Sequence, residues 1–300
     1  MELLCLGAVC AAFFTPLSMR LAKAIGAIDV PDGERKRHAA PMPRLGGLAV
    51  FAAIFLVGFF LLPPTALRRV WLSGGALLCV LGVSDDVFSL SAPVKLLAEC
   101  TIATLPVAFG LVPRVFTLGD WQFVLPLWLA NFLTVFWVIL LTNAFNLIDG
   151  LDGLCVTQTM LASMAVALLF SADAWLLFGA ALGFLPYNRP ALALPNTPIR
   201  TRAFLGDTGA LFLGYSLAVL SIGNAGRASF LLPLLFFVPV FDCIFSFLRR
   251  IVKGKNPFLA DGGHLHHVLY RYTHSSVGTV TLLALLSVAA IAVYVMIERA

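Results

Sequence analysis

The chain has 300 residues, of which 60% are hydrophobic and only 12% are charged, and its mean hydropathy is +0.97. Soluble globular domains are nearer half apolar and a quarter charged. This composition excludes a soluble fold, because no core in water could bury so much apolar surface, and it indicates an all-α integral membrane protein. The net charge of +5 suits basic cytoplasmic loops and an anionic ligand equally well.

Ten apolar runs follow one another along the chain and predict ten transmembrane helices. They lie near residues 2–22, 46–62, 70–84, 94–110, 125–142, 153–170, 173–186, 208–224, 228–247 and 276–297. The first run lacks a basic leader and a cleavage site, so we interpret it as a retained span. Residues 113–126 contain a Gly-Asp pair and predict a small β-hairpin. We expect a single polytopic membrane domain over residues 1–300.

The basic residues divide unevenly between the two sides that ten spans create. Five of the twenty share a side with both termini: Arg68, Arg69, Arg114, Arg227 and Arg299. The other fifteen lie in or beside the loops on the opposite side, which fall within residues 23–45, 85–95, 143–153, 187–207 and 248–275. The positive-inside bias therefore predicts that these loops are cytoplasmic and that both termini are periplasmic or extracellular.

Four polar clusters fall in those cytoplasmic loops. They are SDD (84–86), NAFNLIDGLDG (143–153), FLGDTG (204–209) and DGGHLHH (261–267). If the helices form one bundle, distant parts of the chain deliver carboxylates, amides and imidazoles to a single face. We therefore expect the functional site there.

The adjacent acids Asp85 and Asp86 end the third apolar run. Two carboxylates at a membrane boundary repel each other, which raises a pKa or calls for a cation. The alternative is a solvated loop in which an Asp caps a helix. Lys95 follows and either holds a phosphate as a point charge or extends toward water.

Asn146, Asp149 and Asp152 recur every three residues, so a helical stretch would bring them near one face. The glycines among them favour a tightly turned backbone that a ligand can approach. As the alternative, Asp152 caps the next span. Asp207 stands at the mouth of span eight, where helix N-capping competes with a ligand role. Phe204 either packs or offers a ring on which a base stacks.

His264, His266 and His267 follow a basic stretch that includes Arg250. No cysteine accompanies them, and their spacing is not typical of zinc sites. We favour a diphosphate clamp over zinc, with Mg²⁺ as the metal, because magnesium takes few carboxylate or amide oxygens together with substrate phosphates.

These motifs occur in the order and approximate spacing of one known family. NAFNLIDGLDG, VSDD with PVKLLAE, FLGDTGALFLG, DGGHLHH and the loop DVPDGERKRHAAPMPRLGG resemble the polyprenyl-phosphate N-acetylhexosamine-1-phosphate transferases of the WecA/TagO type. The chain is more distantly similar to MraY. The resemblance covers nearly the whole chain. It implies transfer of a sugar-1-phosphate from a UDP-N-acetylhexosamine, with GlcNAc the leading candidate, to undecaprenyl phosphate with release of UMP.

The resemblance also implies roles for individual residues. Asp207 and Asn146 are expected to hold Mg²⁺, for which Mn²⁺ substitutes. Asp85, Asp86 and Asp149 are expected at the reacting phosphates, with one of the first two as a general base. Lys95 is expected to bind the lipid phosphate, and Asp152 and Phe204 the uracil. The histidines His264, His266 and His267, with Arg250, are expected to bind the diphosphate and sugar.

The resemblance also bears on cellular location and assembly, and two alternative functions remain open. The resemblance implies a bacterial inner membrane enzyme that starts an envelope glycan such as O-antigen or teichoic acid, with a homodimer as its assembly and no nucleic-acid partner. An MraY-type activity on MurNAc-pentapeptide is the nearest rival, although HLHH differs from the MraY triple histidine. An ion-coupled transporter is the remote rival, and it predicts acids near mid-span and some internal repeat.

Overall fold

A computed structural model describes residues 1–30, 41–188, 203–223, 226–256 and 263–299. Several residues of the predicted cytoplasmic loops lie outside this part of the chain, so their location in those loops stays a prediction. They are Arg35, Lys36, Arg37, Arg189, Arg200, Arg202 and Asp261.

Helices dominate the described part of the chain. In chain order they are α1 (Glu2–Ile25), α2 (Gly46–Phe60), α3 (Ala66–Phe88), α4 (Ala92–Ile102), α5 (Leu105–Ala108), α6 (Leu127–Ile148), α7 (Leu154–Leu169), α8 (Ala174–Asn188), α9 (Gly206–Ile222), α10 (Phe237–Val252), α11 (Leu265–Thr273) and α12 (Ser276–Arg299). A 3₁₀ turn (Leu232–Phe236) leads directly into α10. Buried side chains from ten of these helices join in one large hydrophobic core cluster, against which α5 and α11 pack partly buried residues. Ala22, Ala27 and Leu45 form a second, small cluster.

Five helices among the described residues are long and apolar enough to cross a membrane. They are Glu2–Ile25, Ala66–Phe88, Leu127–Ile148, Leu232–Val252 and Ser276–Glu298. Four further apolar helices, α2, α7, α8 and α9, have 15 to 17 residues. At 1.5 Å per residue these are about 22–26 Å long, which is less than the hydrocarbon thickness of about 30 Å. The chain is thus a helical membrane protein, and the count of ten spans stays a prediction.

Each predicted span coincides with helix, with differences at the ends. The fourth is interrupted, because α4 and α5 are separate helices around residues 103–104. The fifth runs further than predicted, since α6 continues to Ile148 and includes Asn146. The ninth begins later, because residues 227–229 form a strand rather than the start of a helix.

Two small sheets complete the fold. The predicted hairpin is confirmed: β3 (Val115–Leu118) pairs antiparallel with β4 (Trp121–Val124), and Leu118 faces Trp121 across the turn. The sequence did not reveal the third strand of this sheet, β5 (Arg227–Ser229), which pairs parallel with β3. The second sheet is a short ladder in which β1 (Ile28–Asp29) pairs with β2 (Met42–Pro43) just before α2.

Helix α9 forms the centre of the bundle. Every residue from Thr208 to Ile222 is buried, which explains why its sequence is apolar on all sides. Gly82 of α3 packs directly against the start of α9, where a Cβ at residue 82 would lie 2.4 Å from the Cα of Thr208. This missing side chain lets the end of α3 approach the beginning of α9.

Gly82→Ala is expected to destabilise the protein because the new methyl group would push α3 away from backbone atoms of α9. Overpacking of this kind costs about 1–3 kcal/mol, and a lower thermal unfolding midpoint in detergent would show it. Gly278→Ala is the matched control, since a Cβ there would lie 3.4 Å from the nearest atom, an ordinary contact. Equal midpoints for the two variants would contradict this packing.

Candidate active site

The ammonium group of Lys95 connects two of the predicted clusters. It donates to Oδ2 of Asp85 at 2.6 Å and to Oδ2 of Asp207. Asp85 stands on the last turn of α3, Lys95 on the first turns of α4, and Asp207 on the first turn of α9. The other oxygen of Asp85 accepts from the backbone N–H of Leu90 at 2.7 Å. The ends of α3, α4 and α9 therefore meet at the ammonium group of Lys95.

Asp86, on α3, accepts hydrogen bonds from the first backbone N–H groups of α9. Its carboxylate accepts from the backbone N–H groups of Asp207 (3.2 Å) and Thr208 (3.1 Å) and from the Thr208 hydroxyl (2.7 Å). The guanidinium of Arg44 lies 3.6 Å away. Negative charge at a helix N-terminus is stabilising because the first N–H groups lack partners within the helix. Asp86 is only 6% exposed, so the alternative of a solvated loop is wrong for this residue.

The capping alternatives for Asp207 and Asp152 are also wrong. The N-cap of α9 is Leu205 and that of α7 is Gly153, and neither helix has a side-chain cap of its own. Asp86 does the capping that the sequence suggested for Asp207. The carboxylate of Asp207 is consequently directed to Lys95.

Asp149 brings the NAFNLIDGLDG cluster to the same place. It ends α6, and its pKa is raised well above the ordinary value by burial and then by the negative charges of Asp207, Asp152 and Asp86. Arg44 opposes this shift. Carboxylates from three clusters thus repel one another here, which marks a place that favours a cation.

Asn188, at the end of α8, connects the DGLDG turn to the segment before α9. Its side-chain oxygen accepts from the backbone N–H of Gly153 at 3.0 Å, and its amide donates to the Ala203 carbonyl at 3.1 Å. Asn188 is buried. Asn188 is not among the residues predicted from the sequence, although an amide that ends an apolar run was a usable signal.

The histidine cluster lies against the same turn. Gly150 allows this contact, since a Cβ at residue 150 would lie 2.3 Å from Nε2 of His266. His266 is 1% exposed, and neither of its ring nitrogens has a hydrogen-bond partner among the described residues. The ring centroids of His266 and His267 are 4.1 Å apart. Burial and then the neighbouring histidines lower the pKa of His267 to about 4, so this ring is neutral near pH 7.

Asp242 orients these histidines. It was not predicted as a site residue, because a single acid inside an apolar run carries no local signal. The residue is on α10 and is 2% exposed. Its carboxylate lies 3.2 Å from Nδ1 of His264 and accepts from the backbone N–H of Leu265 at 2.7 Å, which caps α11. Its 3.6 Å separation from Nδ1 of His266 is too long for a hydrogen bond and is only an electrostatic contact.

The remaining candidate residues surround this centre less directly. Two backbone hydrogen bonds fix the position of Phe204. Its N–H donates to the Pro43 carbonyl at 2.8 Å, and its carbonyl accepts from the Gly46 N–H at 3.0 Å. Arg250, on the last turn of α10, donates to the Asn256 carbonyl at 2.7 Å in the segment that follows this helix. Arg249 contacts the histidine segment by donating to the Gly263 carbonyl.

The donor set suits a magnesium ion better than a closed structural site. No group of three or more His, Cys, Asp or Glu side chains in the described ranges is arranged to hold a metal by itself. Mg²⁺ commonly takes one or two carboxylates and completes its shell with water and substrate phosphates. The predicted ligands, Asp207 on α9 and Asn146 on the last turn of α6, are one carboxylate and one amide, which is the type of donor set that Mg²⁺ takes. Lys95 now neutralises Asp207, so a metal ion there would take over that contact.

Asn188→Leu is expected to lower the thermal unfolding midpoint because it leaves the Gly153 N–H and the Ala203 carbonyl buried without partners. Each unsatisfied group costs about 1–3 kcal/mol. Asn188→Asp should fall between this variant and the unmodified protein, because its carboxylate still accepts from Gly153 but repels the Ala203 carbonyl. Asn131→Leu on α6 is the control. A smaller loss for Asn188→Leu than for the control would contradict the bridging role.

The known proteins most similar in sequence include several transferases of one kind. The chain is 36% identical over 279 residues to a probable undecaprenyl-phosphate N-acetylglucosaminyl 1-phosphate transferase of Bacillus subtilis, covering 86% of this chain and 74% of that protein. It is 31% identical over 313 residues to the decaprenyl-phosphate N-acetylglucosaminephosphotransferase of Mycobacterium tuberculosis, covering 89% and 75%. It is 28% identical over 275 residues to the undecaprenyl-phosphate alpha-N-acetylglucosaminyl 1-phosphate transferase of Escherichia coli, covering 86% and 73%.

The model of one protein family matches residues 69–224, which include the clusters around Asp85, Asp149 and Asp207. This match covers more than half of the chain, and it agrees with the relatives and with the resemblance read from the motifs. The chain therefore belongs to glycosyl transferase family 4.

Proposed function

We propose that this protein transfers N-acetylglucosamine-1-phosphate from UDP-N-acetylglucosamine to undecaprenyl phosphate, the first step of an envelope glycan such as O-antigen or teichoic acid. The names of its relatives support the reaction and the lipid. The observation that carries the proposal is that all four polar clusters meet, through Lys95, Asp86, Asp149 and His266, at one end of the bundle.

The reaction exchanges one phosphoanhydride for another. An oxygen of the lipid phosphate attacks the phosphorus that carries the sugar, and the bond from that phosphorus to the bridging oxygen breaks. UMP leaves with the bridging oxygen, and the lipid keeps a diphosphate-linked sugar. Little proton transfer is needed because a phosphate monoester is largely ionised near neutral pH. The protein must mainly position the phosphates and stabilise their negative charge.

Lys95 is proposed to bind the phosphate of the lipid. Its ammonium is held between Asp85 and Asp207, so it is already oriented toward the centre of the site. Asp85 keeps Lys95 in place from the end of α3. When substrate binds, a phosphate oxygen takes one of the positions that a carboxylate now occupies.

Asp86 and Asp149 are proposed to act at the reacting phosphates in different ways. Asp86 holds the beginning of α9 and thereby positions Asp207. Asp149 lies among carboxylates, and burial and these negative charges raise its pKa, so positive charge brought nearby would favour its ionised form.

The nucleotide is proposed to bind beside the DGLDG turn. Asp152 would accept from the uracil ring, and Phe204 would stack on it. His264, His266 and His267, with Arg250 and Arg249, would contact the diphosphate and sugar. Because His267 is neutral near pH 7, it would contribute a hydrogen bond there, and the arginines would contribute positive charge.

Mg²⁺ is the proposed cofactor, with Mn²⁺ substituting, and Asp207 and Asn146 are the residues that would hold it. A bound divalent ion would neutralise the diphosphate of the nucleotide sugar. The mutual repulsion of Asp149, Asp207, Asp152 and Asp86 supports this proposal, because added positive charge would relieve it.

The proposed setting is the bacterial inner membrane, with ten spans, both termini outside and the site open to the cytoplasm. The basic residues of the site, Arg44, Lys95 and Arg249, support this orientation through the positive-inside bias. A homodimer is the proposed assembly.

The decisive experiment measures UMP release from UDP-GlcNAc and undecaprenyl phosphate by the purified protein, with and without Mg²⁺. We expect Mg²⁺-dependent release that stops on chelation. Asp207→Ala should lower the rate about 10²- to 10³-fold, the range seen when a key electrostatic contact is removed. Asp120→Asn, in the exposed turn of the hairpin, is the control and should leave the rate unchanged.

Two outcomes would reject the proposed function. One is the absence of a lipid-linked product with every UDP-N-acetylhexosamine tested. The other is undiminished activity in Asp207→Ala. UDP-MurNAc-pentapeptide forms a parallel arm, and its preferential use would replace the GlcNAc assignment with the MraY-type activity.

A further inference from the structure

Asn143 opens the NAFNLIDGLDG cluster, yet the proposed reaction assigns it no role. It stands on α6, one turn before Asn146 and two before Asp149. Its side-chain amide donates to Oε2 of Glu99 at 2.6 Å and to the Ile139 carbonyl of its own helix at 3.0 Å. Asn143 therefore connects α6 to α4.

The partners of Asn143 fix the orientation of its amide. Both are pure acceptors when Glu99 is ionised, so the NH₂ group must face them and the side-chain oxygen must face away. If Glu99 were apolar, only the Ile139 contact would remain, and the amide could turn about its terminal torsion. Glu99 thus determines which way Asn143 presents its oxygen.

Burying the carboxylate of Glu99 costs free energy. It is 3% exposed and lies on an apolar stretch of α4, where an unpaired carboxylate would be strongly unfavourable. Lys95, one turn earlier on the same helix, attracts it, and Asp85 repels it. The packing of α4 alone would be served as well by a leucine, since replacing buried charges with apolar groups is often neutral or stabilising.

The Glu99–Asn143 contact lies one helical turn from candidate residues on both of its helices. On α4 that residue is Lys95, which contacts Asp85 and Asp207. On α6 it is Asn146, beyond which stands Asp149. A bond between the two helices at this level sets how the ammonium on one faces the amide and carboxylate on the other.

We propose that Glu99 is a positioning residue which, through its hydrogen bond to Asn143, holds Lys95 in register with Asn146 and Asp149. The proposal rests on the proposed transferase function, and its test keeps the two separable. The hydrogen bond is the operative part, and the charge of Glu99 is secondary. A residue at this position must therefore accept a hydrogen bond from Asn143, whether or not it is ionised.

The test compares Glu99→Leu with Glu99→Gln under the UMP-release assay. The leucine fills the space but cannot accept a hydrogen bond, and the glutamine keeps an acceptor oxygen while losing the charge. We expect Glu99→Leu to lower kcat about 10- to 100-fold, the usual effect of misplacing supporting groups, while KM for UDP-GlcNAc and the thermal midpoint stay close to those of the unmodified protein. Glu99→Gln should keep kcat within about threefold, since a neutral hydrogen bond is roughly half as strong as a charge-assisted one.

A double-mutant cycle adds an independent readout. In an Asn143→Ala background, Glu99→Leu should cause no further loss of kcat, because the bond is already absent. In an Asn131→Ala background, twelve residues earlier on the same helix, it should cause its full loss.

The outcomes separate the two claims. An inactive unmodified protein rejects the transferase function. With an active unmodified protein, the positioning role is overturned by normal kcat in Glu99→Leu, by equal losses in Glu99→Gln and Glu99→Leu, or by additive losses with Asn143→Ala.

Discussion

The carboxylate of Asp86 at the N-terminus of α9 is the contact on which the arrangement of the site depends. It ties the end of α3 to the beginning of the central helix through two backbone N–H groups and a hydroxyl. Because Asp86 takes up those donors, the adjacent Asp207 is directed to Lys95 instead of capping its own helix. Two neighbouring acids of α3 thereby have separate tasks: Asp86 fixes a helix, and Asp85 fixes the lysine.

Small residues and short helices make this contact feasible. Gly82 lets α3 approach Thr208, and Gly150 lets His266 approach the DGLDG turn. Helix α9 begins at Gly206 and is buried along its length, so its first N–H groups are sheltered from water and need partners within the protein. Inside such surroundings an ionic hydrogen bond is stronger than at a surface, and a missing partner costs more.

The carboxylates also bear on the rival interpretations. Asp85, Asp149 and Asp207 stand at helix ends, as a site for soluble anionic substrates requires, whereas coupled transporters are expected to bind ions near mid-span. The acids that do lie further along helices, Glu99 and Asp242, have partners, respectively Asn143 and His264. Each of these acids is therefore tied to a side chain of a cluster at the site.

The sequence predicted the helices, the hairpin and the four clusters, because apolar runs, turn residues and grouped polar side chains are local signals. It did not predict β5, whose three residues pair only in the presence of β3. It left N-capping of α9 open as an alternative for Asp207 and did not point to Asp86, since a cap supplied by another helix depends on tertiary packing. Asp242, Asn188 and Glu99 escaped notice for a related reason: each is a single polar residue whose partner is set by how two helices are rotated against each other.

The most direct test of this account is a double-mutant cycle between Asp86 and Thr208, read from thermal unfolding of the purified protein. Asp86→Asn weakens the charge-assisted bonds at the start of α9, and Thr208→Val removes the hydroxyl that donates to the same carboxylate. The account predicts that the two losses are not additive, with a coupling of about 1.5–3 kcal/mol, the range for a hydrogen bond to a charged group. Strictly additive losses would show that α3 and α9 do not meet through this carboxylate, and the arrangement of the site described above would be wrong.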